Sequence, residues 1–144
     1  MRLRGGQLEL TGPCGADAWY IESHDDDDPM EIVKRLSTNL MGPPLLVHST
    51  SWRRGQGGVL LSFLVVIGED QAADLAGVPI TRAELARNSA TEAAKGIGSN
   101  QVVEHALRHM AWLAQDDPAV RTALSPGWVA ALAGYVPEPF RHLS

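Results

Sequence analysis

Late in the chain, apolar residues fall at three- and four-residue steps. Within residues 100–115 these are Val102, Val103, Ala106, Leu107, Met110, Leu113 and Ala114. That spacing describes one broad face of an amphipathic helix. Its opposite face carries Glu104, His105, Arg108, His109 and Trp112. Two short helices follow. Asp116-Asp117-Pro118 ends the long helix and starts one running to Leu124, and Ser125 caps another running to Ala133.

The first half of the chain has a different period. Residues 7–11 alternate as Gln-Leu-Glu-Leu-Thr, a half-buried strand, and Gly12-Pro13-Cys14-Gly15 turns it toward a second strand at residues 18–21. Asp28, Pro29 and Glu31 have the order of an N-cap, first helical position and capping box. The helix they open buries Met30, Val33, Leu36 and Leu40 and stops at Gly42, before Pro43 and Pro44. Residues 45–53 and 59–67 flank a Gly-rich loop and form a second hairpin. The later flank, Val-Leu-Leu-Ser-Phe-Leu-Val-Val-Ile, is apolar almost throughout. It predicts a strand covered on both faces, by helices or by a partner subunit. Pairing back across residues 54–58 sets Trp52 beside Val59, Thr50 beside Leu61 and His48 beside Phe63, all on one face of the sheet.

Residues 68–80 read as a connection. Thr81-Arg82-Ala83-Glu84 is a capping box for a helix reaching about Lys95, broken by Gly96-Ile97-Gly98-Ser99. The tail, 135–144, is extended and anchored by Tyr135, Val136 and Phe140.

The predicted fold is therefore α+β: an antiparallel sheet from two hairpins in the order ββαββ, followed by a helical C-terminal half packed on it. Residues 1–144 form one domain, with the sheet in 1–67, helices in 81–134 and the tail beyond. The expected core is Leu8, Leu10, Trp19, Ile21, Val33, Leu36, Val47, Leu61, Phe63, Val65, Leu107 and Met110.

Composition narrows the function classes. A chain of 144 residues, 44% hydrophobic and 20% charged, suits one soluble domain. The net charge of −5 argues against nucleic acid, which needs Lys and Arg gathered on one face. Cys14 is the only cysteine, no secretory segment opens the chain, and no apolar run could span a membrane, so a cytoplasmic location is expected. Arginine outnumbers lysine and Ala, Gly and Val abound, as in GC-rich bacterial genomes; this carries no functional weight.

Chemistry-bearing motifs are sparse. His105 and His109 stand one helical turn apart, the spacing of a two-histidine metal clip. A zincin would need Glu directly after the first histidine, where this chain has Ala106. Any metal there needs a third ligand, with His48, His24, His142 or a carboxylate as candidates. The run Asp25 to Asp28 departs from the EF-hand pattern and suits the positive end of a helix dipole. Gly96-Ile97-Gly98 lacks the lysine of a phosphate loop. Ser49, Ser51, Ser62 and Cys14 sit in no nucleophile elbow. Trp112 among His105, Arg108 and His109 has the composition of an interface hot spot, and Arg53 and Arg54 at the hairpin tip, with Trp52 behind them, could grip an anionic ligand by charge and stacking. The expectation is a non-enzymatic binding or assembly module, homo-oligomeric, using His48, Trp52, Arg53, His105, Arg108, His109 and Trp112. The alternative is a small metal-binding protein or metalloenzyme centred on His105 and His109, with a metal ion as its only cofactor.

Overall fold

The computed structural model describes residues 1–83 and 99–137. The chain opens with a hairpin that the alternation at residues 7–11 concealed. Strand β1 (Arg2–Arg4) pairs antiparallel with β2 (Gln7–Leu10) across Gly5-Gly6. Both glycines are left-handed, at φ 56° and 80°, as the tightest hairpin turn requires. The other edge of β2 is taken by β5 (Val78–Pro79), which gives the order β1-β2-β5. With both its edges filled, β2 has no place for the strand expected at residues 18–21. That segment is irregular, with Trp19 and Ile21 half-buried and Tyr20 exposed.

Helix α1 (Pro29–Met41) forms as its caps dictate. The Asp28 carboxylate accepts from the Met30 N–H at 2.9 Å, and Gly42, at φ 81°, donates to the Thr38 carbonyl. Glu31 turns to Lys34 at 3.3 Å instead of closing a capping box. Strands β3 (Leu46–Gly55) and β4 (Gly58–Val66) make the second hairpin, and α1 packs on β3.

The two hairpins do not merge into one sheet. Among the described residues they form separate sheets of three and two strands, joined by a parallel bridge from Arg2 to Ile67. There the Met1 nitrogen donates to the Val65 carbonyl at 2.9 Å, and the Ile67 N–H donates to the Met1 carbonyl at 3.0 Å.

A buried guanidinium holds this junction. Arg2 is fully enclosed, its Nε 2.5 Å from a Glu9 carboxylate oxygen. Its remaining N–H groups donate to the carbonyls of Ala72 at 2.7 Å, Leu75 at 2.8 Å and Gln71 at 3.4 Å. The connection at residues 68–77 is thus tied through its backbone to β1, and the charge is offset on every side.

Helices α2 (Ser99–Asp116), α3 (Pro118–Ala123) and α4 (Pro126–Leu132) follow the predicted boundaries within two residues. The Asp117 carboxylate caps α3 by accepting from Ala119 at 2.8 Å. Tyr135 is buried and Val136 exposed. The helix predicted from Thr81 toward Lys95, the glycines at 96 and 98, Phe140 and His142 fall outside the described residues; Thr81, Arg82 and Ala83 are irregular.

The core joins Leu8, Leu64 and Val66 to Leu107, Met110, Ala111 and Leu113 of α2, and to Val120, Leu124, Trp128 and Leu132 of the short helices. Leu8, Leu107 and Met110 were expected. On β4, however, the core takes Leu64 and Val66 instead of Phe63 and Val65, which are only half-buried, while Leu61 is exposed. Because side chains alternate across a strand, a parity error of one residue exchanges the two faces.

Candidate functional site

The hairpin register explains both that parity and the site. Its turn is the two residues Gln56-Gly57, with Gly55 opposite Gly58, not a five-residue loop. Arg54 therefore faces Val59 and Trp52 faces Leu61. Farther down, Thr50 is an extra residue: Ser51 faces Ser62, yet Ser49 faces Phe63 and His48 faces Leu64. Such a bulge moves every later side chain of its strand to the other face. His48 and Trp52, expected on one face, lie on opposite faces roughly 13 Å apart along the strand. Thr50 is itself buried, its hydroxyl donating to the Ser62 carbonyl at 3.3 Å.

On the core face His48 meets α2. Its Nε2 lies 3.0 Å from the Nε2 of His109, a residue only 3% exposed. The ring centroids are 5.0 Å apart and the planes differ by 22°, so the imidazoles meet edge to edge. One Nε2 carries the hydrogen and the other accepts it, which fixes complementary tautomers. Burial holds His48 below its ordinary value, neighbouring His109 lowers it further, and Asp117 partly opposes both. Trp112 lies beside His109, its ring centroid 5.8 Å away at 24°, half-buried against the core.

One turn earlier, Glu104 is buried where the helical wheel put it in water. Its carboxylate accepts from Arg82 Nε at 2.7 Å and from the Ala83 N–H at 3.3 Å, and pairs with Arg108 at 3.5 Å. Arg82 also donates to the Gly134 carbonyl at 2.8 Å, and its guanidinium lies 4.0 Å above the Tyr135 ring. The hydrogen bond to Glu104 raises the pKa of Arg82, and burial raises that of the Tyr135 phenol. This clasp fastens residues 82–83 and the end of α4 to α2.

Of the residues singled out from sequence, His48, His109 and Trp112 thus come together, with Arg108 beside Glu104. His105 is half-buried on α2. Trp52 and Arg53 stand apart, toward the hairpin tip. His109 meets His48 across the helix–strand contact, and among the described residues no three His, Cys, Asp or Glu side chains form a metal-sized cluster.

The tip is the least covered part of the hairpin. Trp52 is 62% exposed, Val59 61% and Leu61 46%, all on the face opposite His48. Leu60, on the other face, folds over Gly55, where a Cβ would come within 2.9 Å of it.

Comparison settles no kinship. No protein-family model, curated protein or solved structure matches the chain. No helix among the described residues is long and apolar enough to cross a membrane.

Proposed function

We propose that this chain is a non-enzymatic assembly module whose working surface is the tip of the β3–β4 hairpin and whose partner is a second copy of itself. One observation carries the reading: Trp52, Val59 and Leu61 form a contiguous apolar face left in water. A tryptophan covers 150–250 Å² when buried, and tryptophan beside arginine, here Arg54 facing Val59, is typical of interface anchors. The face of α2 singled out from sequence suits this role less well, because His109 is enclosed by β3 and Trp112 is half-buried against its own core.

Mass in solution across a concentration series tests the reading. Wild type should pass from one-chain to two-chain mass, and Trp52→Ala should weaken that step roughly tenfold or more. Trp112→Ala should lower folding stability and leave association in place. A one-chain mass for the wild type at every concentration refutes the reading.

A metal-binding role has one observation on its side, the convergence of two imidazole nitrogens at His48 and His109. Stoichiometric zinc in dialysed protein, lost in His48→Ala/His109→Ala, would establish it in place of assembly alone.

A further inference from the structure

Among the described residues, strand β4 is enclosed where Met1 lies along its second edge and exposed toward the tip, where no other described segment pairs with that edge. One edge pairs with β3 throughout. On the other, Met1 bonds Val65 and Ile67, and burial begins there, with Val66 and Ile67 fully enclosed. From Gly58 to Leu61 every residue is exposed. Val66 accepts from Leu45 on the β3 side, whereas the Val65 carbonyl and the Ile67 N–H face outward to Met1. Antiparallel alternation then points the N–H and C=O groups of Val59, Leu61 and Phe63 to the same open edge. Proteins usually guard such an edge with a charge, a proline or a bulge. Gly58–Val66 contains no charged residue and no proline, and the bulge of this hairpin is on β3.

We infer that β4 pairs antiparallel with β4 of a second copy about a two-fold axis at Leu61, joining the two hairpins into a four-stranded sheet. The inference rests on the assembly reading and specifies its geometry. Centred there, Leu61 faces Leu61 of the second copy, and Val59 faces Phe63 of the second copy. Each pair exchanges both backbone hydrogen bonds. Gly58 then reaches Leu64 of the second copy, and the pairing ends where Met1 already occupies the edge. The register therefore fills the open edge and goes no further. A two-fold axis sets each nearby residue against its own copy, so any charge there would repel itself. Gly58–Leu64 holds none. Trp52 and Leu61 of each copy line up as one apolar row across the sheet, because Trp52 faces Leu61 within the hairpin.

The test is a charge exchange at the axis, read as mass in solution. Leu61 is an exposed position in the single chain, so the substitutions add no buried charge to the fold. Wild type should reach two-chain mass. Leu61→Lys and Leu61→Glu should each stay at one-chain mass, and an equimolar mixture of the two should regain two-chain mass. If wild type is a dimer and both variants alone dimerise as well as it does, edge pairing at Leu61 is overturned while assembly stands. If the mixture fails to recover a dimer that each variant has lost, the two-fold axis at Leu61 is overturned too. A wild type at one-chain mass throughout overturns both the inference and the assembly reading.

Discussion

Replacing Arg2 by methionine keeps the apolar stem and removes the guanidinium. The side chain is fully enclosed, so no water can take over its role. Its loss removes bonds of 2.5, 2.7 and 2.8 Å to the Glu9 carboxylate and the carbonyls of Ala72 and Leu75, leaving Glu9 with the more distant Arg4 at 3.6 Å and the Ala72 carbonyl with the Leu75 N–H. Breaking a buried pair by deleting one partner costs about 3–5 kcal/mol, mostly through the charge left behind. Glu9 is 14% exposed and keeps Arg4 at 3.6 Å, so it recovers part of its hydration and retains one counter-charge, which favours the lower half, about 3–4 kcal/mol. A chain of this length loses about 2–4 °C of melting temperature per kcal/mol, so thermal unfolding should shift down by roughly 6–16 °C.

A double-mutant cycle identifies the source of the loss. If a stranded carboxylate dominates, Arg2→Met/Glu9→Gln should recover about 1–2 kcal/mol relative to Arg2→Met alone, since a neutral amide is cheaper to leave half-buried. Urea unfolding followed by tryptophan fluorescence supplies all four free energies. A loss below about 1 kcal/mol for Arg2→Met would refute the view that this guanidinium holds the junction. A double variant no more stable than the single one would shift the cause to the backbone bonds lost at Ala72 and Leu75, where Ala72 holds a φ of 51° that is costly for a residue with a Cβ.

Two further outcomes follow from the same geometry. A Cβ at Gly77 would overlap the Glu9 carboxyl group, so Gly77→Ala should cost about 1–3 kcal/mol in urea unfolding. That cost should shrink in the Arg2→Met background, where Glu9 has lost its closest tether and keeps only the longer one to Arg4 among the described residues; an equal cost in both backgrounds would contradict the overlap. For His48, the folded pKa lies below the ordinary 6.5, so between the two values the unfolded chain binds more protons than the folded one. Stability should therefore rise with pH through that window and fall as pH drops below about 6.5, more steeply in wild type than in His48→Gln. Parallel unfolding curves for the two proteins between about pH 7.5 and pH 5.5 would remove His48 from the account.

Local signals were readable where they act through neighbouring residues. Asp28 with Pro29, Gly42, and Asp117 with Pro118 mark helix ends because capping is decided within a few residues. What escaped depends on partners distant in the chain. Glu104 looks like a solvent residue on a helical wheel, and Arg82 and Ala83, drawn in from elsewhere, join Arg108 of the same helix to make its burial affordable. Arg2 reads as an ordinary basic residue until residues 71–75 fold over it. Gly5-Gly6 between two alternating stretches did carry a usable hairpin signal, and the stronger-looking pattern after residue 11 masked it. The bulge at Thr50 carried no local signal, yet it decides which face His48 shares, and hence that His48 meets His109 while Trp52 does not.

Strand β4 shows how a sequence signal can outlast the fold that uses only part of it. An apolar run without alternation calls for cover on both faces. At the base of the hairpin the single chain meets that demand: α1 and α2 both contact β3, and Met1 closes the second edge at Val65 and Ile67. Toward the tip the run continues as Val59, Leu60 and Leu61, with β3 on one edge and no described segment paired to the other. Solubility would favour polar residues at these positions, as charged side chains commonly protect edge strands. Apolar residues there run against that pressure, and a contact outside the single chain would account for them. The segment left unexplained by the fold is thus the same one whose edge and faces are open, and it is there that Leu61→Lys and Leu61→Glu bear on function with least cost to folding.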